Sequence, residues 1–274
     1  MEPNPYIPTL AKIIQIKEEV GGARPIKTFR TQFLHENGFS FRCGQCAMLS
    51  VFGKGESMIS ISSSPLVEDY LQFSILKMGR VTSSLHEMQE GDIIGIRGPY
   101  GNGFPIEKWK GKNLIFIGGG IGLAPIWSVL HTALGKKENY GKISLIYGAR
   151  TSQDLVFKEE LEELRQKMEV HLSIDVEEPE WKEFVGFVPI NVLDKKPSPD
   201  NAISVTCGPP IMIKFVIQNL EALGFKDEQI FTTVENKMKC GIGKCGRCNI
   251  GLHYVCQDGP VYSWAELKNL PQEY

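Results

Sequence analysis

Apolar and polar residues alternate in short segments between Lys12 and Arg97. Alternation with a period of two is typical of half-buried β-strands, and glycine-containing turns such as Gly21-Gly22 separate the segments. Several short strands at close spacing predict an antiparallel β-barrel. The predicted strands are Lys12–Lys17, Ile26–Leu34, Ala47–Phe52, Tyr70–Leu76 and Ile93–Arg97.

The pattern changes after Trp109, where short apolar runs alternate with segments of helical periodicity. Alternating strands and helices predict a doubly wound parallel sheet with helices on both faces. The predicted strands are Leu114–Ile117, Ile143–Tyr147, His171–Val176, Ile203–Thr206 and Ile230–Val234, and the predicted helices begin near Pro125 and cover Glu159–Met168 and Met212–Leu223.

Composition narrows the class of protein. The chain has 274 residues, enough for two ordinary domains and a small appendage. With a net charge of -2, neither nucleic acid nor an anionic membrane is expected as the main partner. The first ten residues lack the basic start and apolar core of a signal peptide, and no apolar run approaches the ~20 residues that span a bilayer. We therefore expect a cytoplasmic protein. Because the cytosol is reducing, its seven cysteines are expected to be metal ligands or catalytic groups rather than disulfides.

Four of these cysteines lie close together near the C-terminus. The first three follow the C-x4-C-x2-C order of plant-type iron–sulfur ligation, and the fourth comes after seven further residues. Glycines between them allow the backbone to turn tightly and to direct N–H groups at the sulfurs. A four-cysteine zinc site normally has paired C-x2-4-C motifs, and only one C-x2-C motif is present here, so zinc is a weaker alternative. A disulfide pair is weaker still, because the cytosol is reducing. The pattern predicts a [2Fe-2S] cluster held by Cys240, Cys245, Cys248 and Cys256.

A glycine-rich stretch, Gly118–Pro125, follows a predicted strand and opens a predicted helix. Free N–H groups and the positive end of the helix dipole suit a pyrophosphate at this position. Leu123 stands where the dinucleotide fingerprint has its last glycine, so a purely structural turn remains an alternative. The candidate nucleotide-binding residues are Gly118, Gly119, Gly120 and Gly122.

Three further stretches carry weaker signals. The segment from Gly79 to Leu85 offers an arginine and helix-start amides to an anion, although an ordinary helix cap with a solvated arginine fits equally well. A serine-rich strand end leaves room for a flat ligand, although alone it is typical of a turn. A cysteine at the carboxyl end of a parallel strand lies where ligands of α/β sheets bind, although a lone cysteine there is usually a packing residue. The candidate residues are Gly79, Arg80, Val81, Thr82 and Ser83, then Ser60, Ile61 and Ser62, then Cys207, Gly208 and Pro209.

Together these stretches resemble the ferredoxin–NADP reductase superfamily, which has S-I-S, G-R-V-T-S-S-L, G-G-G-I-G-L-A-P and C-G-P-P in this order. The cysteine segment narrows the resemblance to iron–sulfur flavoprotein subunits of NAD(P)-linked complexes. These are the gamma subunit of sulfhydrogenase-type nickel–iron hydrogenases, the B subunit of anaerobic sulfite reductase and the electron-transfer subunit of dihydroorotate dehydrogenase. The resemblance implies an FAD-binding β-barrel over residues 1–108, an NAD(P)-binding α/β domain over 109–228 and a [2Fe-2S] domain over 229–274.

The same resemblance implies roles for individual residues. Ser60 matches the serine near the flavin ring, and Cys207 matches the catalytic-site cysteine close to the nicotinamide. Gly118–Pro125 matches the loop under the NAD(P) pyrophosphate, and Arg150 lies beside the adenosine ribose, where it would pair with a 2′-phosphate if NADP is used. NADP specificity does not follow, because NAD-using relatives also have arginine there.

The chain departs from the family pattern in two places. The usual flavin arginine and aromatic residue are replaced by Ser57 and Ile59, so pyrophosphate neutralisation is assigned to Arg80 with the Val81–Ser83 amides. Cys43-Gly44-Gln45-Cys46 replaces the usual Pro-Gly-Gln-Phe. If the strand through Ala47–Phe52 starts this early, the two cysteines are three positions apart on it and point to opposite faces. We therefore interpret them as packing residues, with a redox pair or extra metal site as the alternative.

The implied function is an oxidoreductase subunit that passes electrons between NAD(P)H and a partner redox subunit through FAD and the [2Fe-2S] cluster. A hydrogenase or a sulfur-compound reductase is the expected partner. A dihydroorotate dehydrogenase and a heterodisulfide-reductase-type complex are alternatives. A flavin-free zinc-binding adaptor, which would not be an enzyme, is a further alternative. An oxygenase reductase with a separate ferredoxin domain is disfavoured by the short spacing between Cys248 and Cys256.

Overall fold

A computed structural model describes residues 4–35 and 39–271. Its first part is a six-stranded antiparallel sheet in the order β4-β3-β6-β1-β2-β5. The sheet curls until its end strands β4 and β5 approach each other, and α1 covers one end. The elements are β1 Thr9–Val20, β2 Ile26–Phe33, β3 Cys46–Val51, β4 Gly55–Ser60, β5 Leu71–Leu76, α1 Arg80–Glu87 and β6 Ile93–Tyr100.

Alternation of side chains along these strands gives the barrel its core. The inward side chains include Ile13 on β1, Phe29 on β2, Phe73 on β5 and Ile94 on β6, and all are at most 2% exposed. The period-two pattern seen in the sequence is therefore the burial pattern of the strands, and the predicted β-barrel is confirmed.

The second part is a seven-stranded sheet in the order β10-β9-β8-β7-β11-β12-β15. All neighbouring strands are parallel except β12 and β15. The elements are β7 Asn113–Gly119, α2 Leu123–Gly135, β8 Ile143–Ala149, α3 Lys158–Leu164, β9 Glu169–Ile174, β10 Phe184–Val185, α4 Val188–Lys195, β11 Ala202–Cys207, α5 Pro210–Ala222, β12 Ile230–Thr233, β13 Asn249–Ile250, β14 His253–Tyr254, α6 Val255–Asp258, β15 Val261–Ser263 and α7 Trp264–Lys268.

The predicted α/β fold is confirmed, with differences at some elements. The helix predicted over Glu159–Met168 ends at Leu164. Helix α4 and strands β10 and β15 were not predicted, because a helix of 8 residues and strands of 2 and 3 residues are too short to show a clear period. None of the described helices is long and apolar enough to cross a membrane, and the longest, α2 and α5, have 13 residues.

The C-terminal segment belongs partly to this sheet. Strands β12 and β15 both come from residues 229–274, and α7 is tied back by a hydrogen bond of 2.9 Å from Trp264 Nε1 to Glu221 Oε1 on α5. Between these strands, residues 234–260 form a separate lobe with a small core of its own, which we call the cluster lobe. The domain boundaries drawn from the sequence stay a prediction.

Candidate functional site

Two loops at the carboxyl edge of the parallel sheet form the centre of the site. The first follows β7 and comprises Gly118–Gly122, and the second follows β11 and comprises Cys207–Pro209. Since β7 and β11 are neighbours, with Cys207 paired to Gly118 across the ladder, the loops must meet. We call these two loops the nucleotide edge.

Side chains are excluded where the loops touch. A Cβ on Gly122 would lie 2.5 Å from Gly208 Cα and 2.6 Å from the Cys207 carbonyl oxygen, and one on Gly119 would collide with Met212 Sδ. Gly120 has a φ of +53, which favours glycine, and no atom lies near its missing Cβ. These glycines are therefore required for two different reasons, close backbone approach and backbone conformation.

Tyr147 supports the first loop from below. Its hydroxyl donates to the Gly120 carbonyl at 3.2 Å and accepts the Val156 N–H at 3.0 Å, and burial raises its pKa well above the usual range. A fully buried phenol needs such partners. Apart from the position of Tyr147 in an apolar strand, no sequence pattern indicated this role.

Cys207 is held as a neutral thiol. Thr233 Oγ1 donates to its Sγ at 2.9 Å, and burial raises the pKa of the thiol to about 12. Since the thiolate is the nucleophilic form, this environment favours packing beside a ligand over covalent chemistry. Thr233 was missed in the sequence, where it stands in an ordinary strand.

On the barrel side, the serine-rich strand end divides into exposed and buried residues. Ser60 lines the cleft between barrel and sheet. Ile61 and Ser62 lie beneath it, 0% exposed, and their amides donate to the Gln45 and Gln72 carbonyls at 3.0 and 2.8 Å. Of the three predicted residues only Ser60 therefore faces a ligand in that cleft.

The predicted anion site at the start of α1 is only partly available. The Ser83 N–H already donates to the Gly79 carbonyl at 2.8 Å, and Thr82 Oγ1 accepts the amides of Met78 and Gly79 at 3.0 and 2.9 Å. The Arg80 guanidinium donates to the Gly53 carbonyl at 3.3 Å and does not line the cleft, whereas Thr82 does. The expected use of the Ser83 amide is thus wrong, because the helix itself takes that donor.

The cleft that joins the two sides has a volume of ≈ 1680 Å³. This exceeds the roughly 300–1,000 Å³ of a site for one small ligand. Its cationic lining residues are Arg24 from the turn between β1 and β2, Arg150 after β8, and Lys158 at the start of α3. Asp175, across from Arg150, also lines it, and burial raises the pKa of this carboxyl while Arg150 opposes the shift. Arg24 was missed because it stands in what reads as a glycine-rich turn.

The two cysteines of the C-x-x-C motif face different surroundings, although the strand does not extend to both of them, because β3 begins at Cys46 and Cys43 lies before it. Cys43 lies in the core of the α/β part, and Cys46 Sγ lies 3.8 Å from Ser60 Oγ at the cleft. Both thiols are free, and burial raises the pKa of Cys43 to about 12 and that of Cys46 to about 11. This arrangement fits the packing interpretation better than a redox pair.

The four C-terminal cysteines interact with one another. Cys240 interacts with Cys245, and Cys256 interacts with Cys248 and with Cys240. Among residues 4–35 and 39–271, no three side chains of the metal-binding types stand together as ligands for a single ion. A [2Fe-2S] cluster takes four cysteine thiolates, two on each of its irons, and this segment supplies four. The donor set therefore fits a [2Fe-2S] cluster.

Backbone amides surround two of these sulfurs. Cys240 Sγ accepts the N–H groups of Ile242 and Lys244 at 3.4 and 3.3 Å, and Cys256 Sγ accepts that of Gly243 at 3.2 Å. Burial opposes ionisation of Cys240, but the backbone N–H groups of Cys245, Ile242 and Lys244, together with the Cys245 side chain, outweigh it and lower the pKa of the thiol to about 7. Such donors stabilise thiolate ligands and adjust a cluster's reduction potential.

The barrel holds the cluster lobe through a buried arginine. Arg97, whose side chain is 4% exposed, donates to both carboxylate oxygens of Glu56 at 2.9 and 2.7 Å. It also donates to Tyr100 Oη at 2.8 Å and to the Cys240 carbonyl at 3.3 Å. The Tyr100 ring packs on Gly241, where a Cβ would lie 2.6 Å from the ring.

Asn102 makes a second connection. Its Nδ2 donates to the carbonyls of Asp258 and Val261 at 2.9 and 2.7 Å, and its Oδ1 accepts the Val261 N–H at 3.1 Å. Both ends of the cluster lobe are thus fixed to the strand and loop that close the barrel. Neither Arg97 nor Asn102 was identified in the sequence as a site residue.

Two family models match the chain. Residues 116–218 match an oxidoreductase NAD-binding domain, and residues 235–268 match the iron–sulfur cluster binding domain of dihydroorotate dehydrogenase B. The matched segments contain the nucleotide edge and the four C-terminal cysteines. The predicted iron–sulfur cluster is confirmed by the second match, while the assignment of individual ligands stays a prediction.

Similar proteins cover nearly the whole chain. The sulfhydrogenase 1 gamma subunit of Pyrococcus furiosus is 39% identical over 85% of this chain and 82% of its own length. The probable dihydroorotate dehydrogenase B (NAD(+)) electron transfer subunit of the same organism is 36% identical over 93% of this chain and 92% of its own.

Solved structures share the fold. An NADH-dependent reduced ferredoxin-NADP oxidoreductase, studied for flavin-based electron bifurcation, superposes with a TM-score of 0.72 at 20% identity, over 99% of this chain and 91% of its own. A ferredoxin NADP+ reductase from Neisseria gonorrhoeae with bound FAD and NADP has a TM-score of 0.67 at 21% identity, over 82% and 97%.

Proposed function

Because this chain belongs to the family of iron–sulfur electron-transfer subunits that includes the sulfhydrogenase gamma and dihydroorotate dehydrogenase B subunits, we propose that it transfers electrons between NAD(P)H and a partner redox subunit. The path runs through FAD and a [2Fe-2S] cluster. The observation that carries the proposal is spatial: the nucleotide edge, the barrel and the cluster lobe adjoin one another at a single cleft, which is lined by Gly208, Cys46 and Pro260.

The nucleotide edge supports NAD(P)H binding. Glycines 118, 119, 120 and 122 present backbone at the start of α2, where the helix dipole favours a pyrophosphate. Gly208 and Pro209 form the opposite wall. The neutral Cys207 thiol is buried next to them at the end of β11, beside the position that we assign to the nicotinamide ring. Arg150 faces the ribose end of the coenzyme.

The barrel side supports FAD. The cleft has room for a second ligand besides the coenzyme, and Ser60 lines it at the end of β4. We assign neutralisation of the FAD pyrophosphate to Arg24 together with the first amides of α1, because Arg24 lines the cleft and Arg80 does not. Gly79, Arg80, Val81 and Thr82 supply the helix start, and Ile61 and Ser62 support Ser60 from beneath.

The cluster lobe supports one-electron exit. A flavin exchanges electron pairs with NAD(P)H and single electrons with an iron–sulfur cluster, so the two cofactors together convert between the two kinds of transfer. The chain's own contribution is alignment: Arg97 and Asn102 hold the cysteine segment against the barrel that borders the flavin cleft. Cys240, Cys245, Cys248 and Cys256 are the assigned ligands.

The partner is assigned as a hydrogenase or sulfur-compound reductase, because the two sulfhydrogenase gamma subunits are 39% identical to this chain. A dihydroorotate dehydrogenase is the second candidate, since its electron-transfer subunits are 34–36% identical over 93–94% of this chain. The subunit that co-purifies with the chain distinguishes them, as a nickel–iron protein in one case and a second flavoprotein in the other.

Anaerobic stopped-flow mixing of the purified holoprotein with NADH or with NADPH tests the proposal. We expect rapid loss of flavin absorbance with at least one coenzyme, followed by an electron paramagnetic resonance signal from a reduced [2Fe-2S] cluster. A colourless protein, or one whose metal is zinc, would contradict it and restore the adaptor reading.

A further inference from the structure

The cluster lobe has an uneven distribution of charge. The segment from Asn236 to Gln257 contains four lysine and arginine residues and no aspartate or glutamate, in a chain whose net charge is -2, and the two acidic residues of the lobe, Glu235 and Asp258, lie at the ends of this segment. The four cations are Lys237, Lys239, Lys244 and Arg247. All four are exposed, and none forms an ion pair with any residue in the described ranges.

These cations belong to the segment that carries the cysteines. Met238, between Lys237 and Lys239, packs on the core that contains Cys248 and Cys256. Lys244 and Arg247 flank Cys245 in the chain, and Cys245 is the exposed member of the four cysteines. Exposed basic residues are therefore next in sequence to the cysteine that solvent reaches.

An apolar side chain projects from the same lobe. Leu252, in the turn between β13 and β14, is 96% exposed, more than any other large hydrophobic residue among those described. This turn lies between the third and fourth cysteines. An exposed leucine in the same lobe as four cations without ion pairs is more typical of an interaction surface than of a solvated loop.

We infer that this basic surface with Leu252 is where the partner redox protein docks, and that the docking face of the partner is acidic. The inference rests on the proposed function, because it assumes that electrons leave through the cluster. Opposite charge around the exit orients the encounter and brings the partner's acceptor to Cys245, the exposed edge of the site.

A rival explanation is internal. Four thiolate ligands carry negative charge, and the cations would then serve only to balance it and to set the reduction potential of the cluster. The two explanations differ in what they predict for acceptors of opposite charge, because balancing the cluster does not select among proteins in solution.

The test uses the full holoprotein reduced by NAD(P)H, with an acidic rubredoxin and a basic cytochrome c as one-electron protein acceptors. We expect rubredoxin reduction to slow at least tenfold as salt rises from about 0.01 M to about 1 M, which shortens the screening length from ~30 Å to ~3 Å. Cytochrome c reduction should change little or rise over the same range.

The variant Lys239→Glu with Arg247→Glu reverses two charges and leaves the amide donors of Ile242, Gly243 and Lys244 in place. We expect about tenfold slower rubredoxin reduction at low salt and loss of its salt dependence, with unchanged iron content and unchanged flavin reduction. The matched control is Lys182→Glu with Lys226→Glu, two exposed lysines of the α/β part, which should behave as the unaltered protein. Leu252→Ser should slow rubredoxin reduction severalfold without altering its salt dependence.

Equal salt dependence in the charge-reversed and control variants would overturn the inference. The inference would also be overturned if the charge-reversed variant had a lowered midpoint potential of the cluster but the same preference for rubredoxin over cytochrome c. That result would mean that the cations only balance the charge of the cluster. If neither acceptor is reduced by the unaltered holoprotein, the proposed function itself fails, and the two failures are thus distinguishable.

Discussion

The nucleotide edge and the cluster lobe are both built from glycine-rich backbone, but they are held in place by different means. At the nucleotide edge the loops follow adjacent parallel strands, so the ladder between β7 and β11 brings Gly118 and Cys207 together. The cluster lobe has only two strands of 2 residues each and is positioned by Arg97 and Asn102, which come from the barrel. One site is therefore fixed by sheet register and the other by long-range polar contacts.

The largest effect is expected at the nucleotide edge, where Gly122→Ala would test whether close backbone approach is essential. A Cβ 2.5 Å from Gly208 forces the two loops apart, and we expect NAD(P)H-dependent flavin reduction to fall on the order of 100-fold, as misplacement by ~1 Å does. Stopped-flow reduction rates measure this.

Gly120→Ala is the matched control for that change. No atom occupies the position of its Cβ, and only its φ of +53 disfavours alanine, so the cost is about 1 kcal/mol and the rate should fall far less. If Gly122→Ala reduces flavin at the normal rate, contact between the loops does not determine coenzyme binding.

For the cluster lobe the corresponding change is Arg97→Gln in the barrel. It removes the hydrogen bond to the Cys240 carbonyl and leaves Glu56 without its cationic partner. Because Glu56 is one-third exposed, we expect a loss of roughly 3 kcal/mol, the lower end for breaking a buried ion pair. Denaturant unfolding measures the loss, and hydrogen exchange should rise in residues 234–260 while β7 and β11 stay protected. Rising exchange throughout the chain would contradict a tether specific to the lobe.

The Arg97–Glu56 pair also predicts a pH dependence. The Arg97 hydrogen bonds hold the pKa of Glu56 below its usual range, although burial opposes them. The stabilisation is therefore fully present above the unfolded pKa of about 4.3 and is lost as pH falls through the lowered folded pKa. The part of the acid destabilisation that comes from this pair should be absent in Arg97→Gln.

A smaller effect separates two candidates for FAD binding. We expect Arg24→Gln to weaken FAD retention roughly tenfold, since a hydrogen bond to a charged group contributes about 1.5–3 kcal/mol, whereas Arg80→Gln should change it little. Flavin content after dialysis measures both. If Arg80→Gln weakened FAD retention more than Arg24→Gln, neutralisation of the FAD pyrophosphate would be assigned to Arg80 and the start of α1 instead.

The smallest effect is expected at Arg150, which is exposed beside Asp175. If the coenzyme is NADPH, Arg150→Ser should lower kcat/KM for NADPH about 2- to 5-fold, the worth of an exposed ion pair, and leave that for NADH unchanged. Equal losses for both coenzymes would place Arg150 on a part of the coenzyme that they share.

This contrast explains which features the sequence could predict. Strand alternation and the loops after β7 and β11 were predictable, because local periodicity fixes the strands and sheet topology then fixes where their ends meet. The spacing of the cysteines identified the cluster. Residues that act across the fold were missed, such as Arg97, Asn102 and Thr233, because each looks like an ordinary strand or loop residue until its distant partner is known.

A second limit comes from competition for backbone donors. The segment after Gly79 was expected to give the Ser83 amide to an anion, but formation of α1 uses that amide for its first hydrogen bond. The direction of the Arg80 side chain, toward Gly53, also depends on a turn between β3 and β4 that no local pattern relates to α1.

The central claim is that electrons leave through the cluster lobe, and Cys248→Ser tests it most directly. In stopped-flow mixing with NAD(P)H, we expect the variant's flavin to be reduced while electron transfer to the partner, or to a one-electron protein acceptor, falls to background. Loss of both steps together would indicate a folding defect, which flavin content and circular dichroism would reveal. Partner reduction at the normal rate in a folded variant would contradict the account, because the electrons would then bypass the cluster.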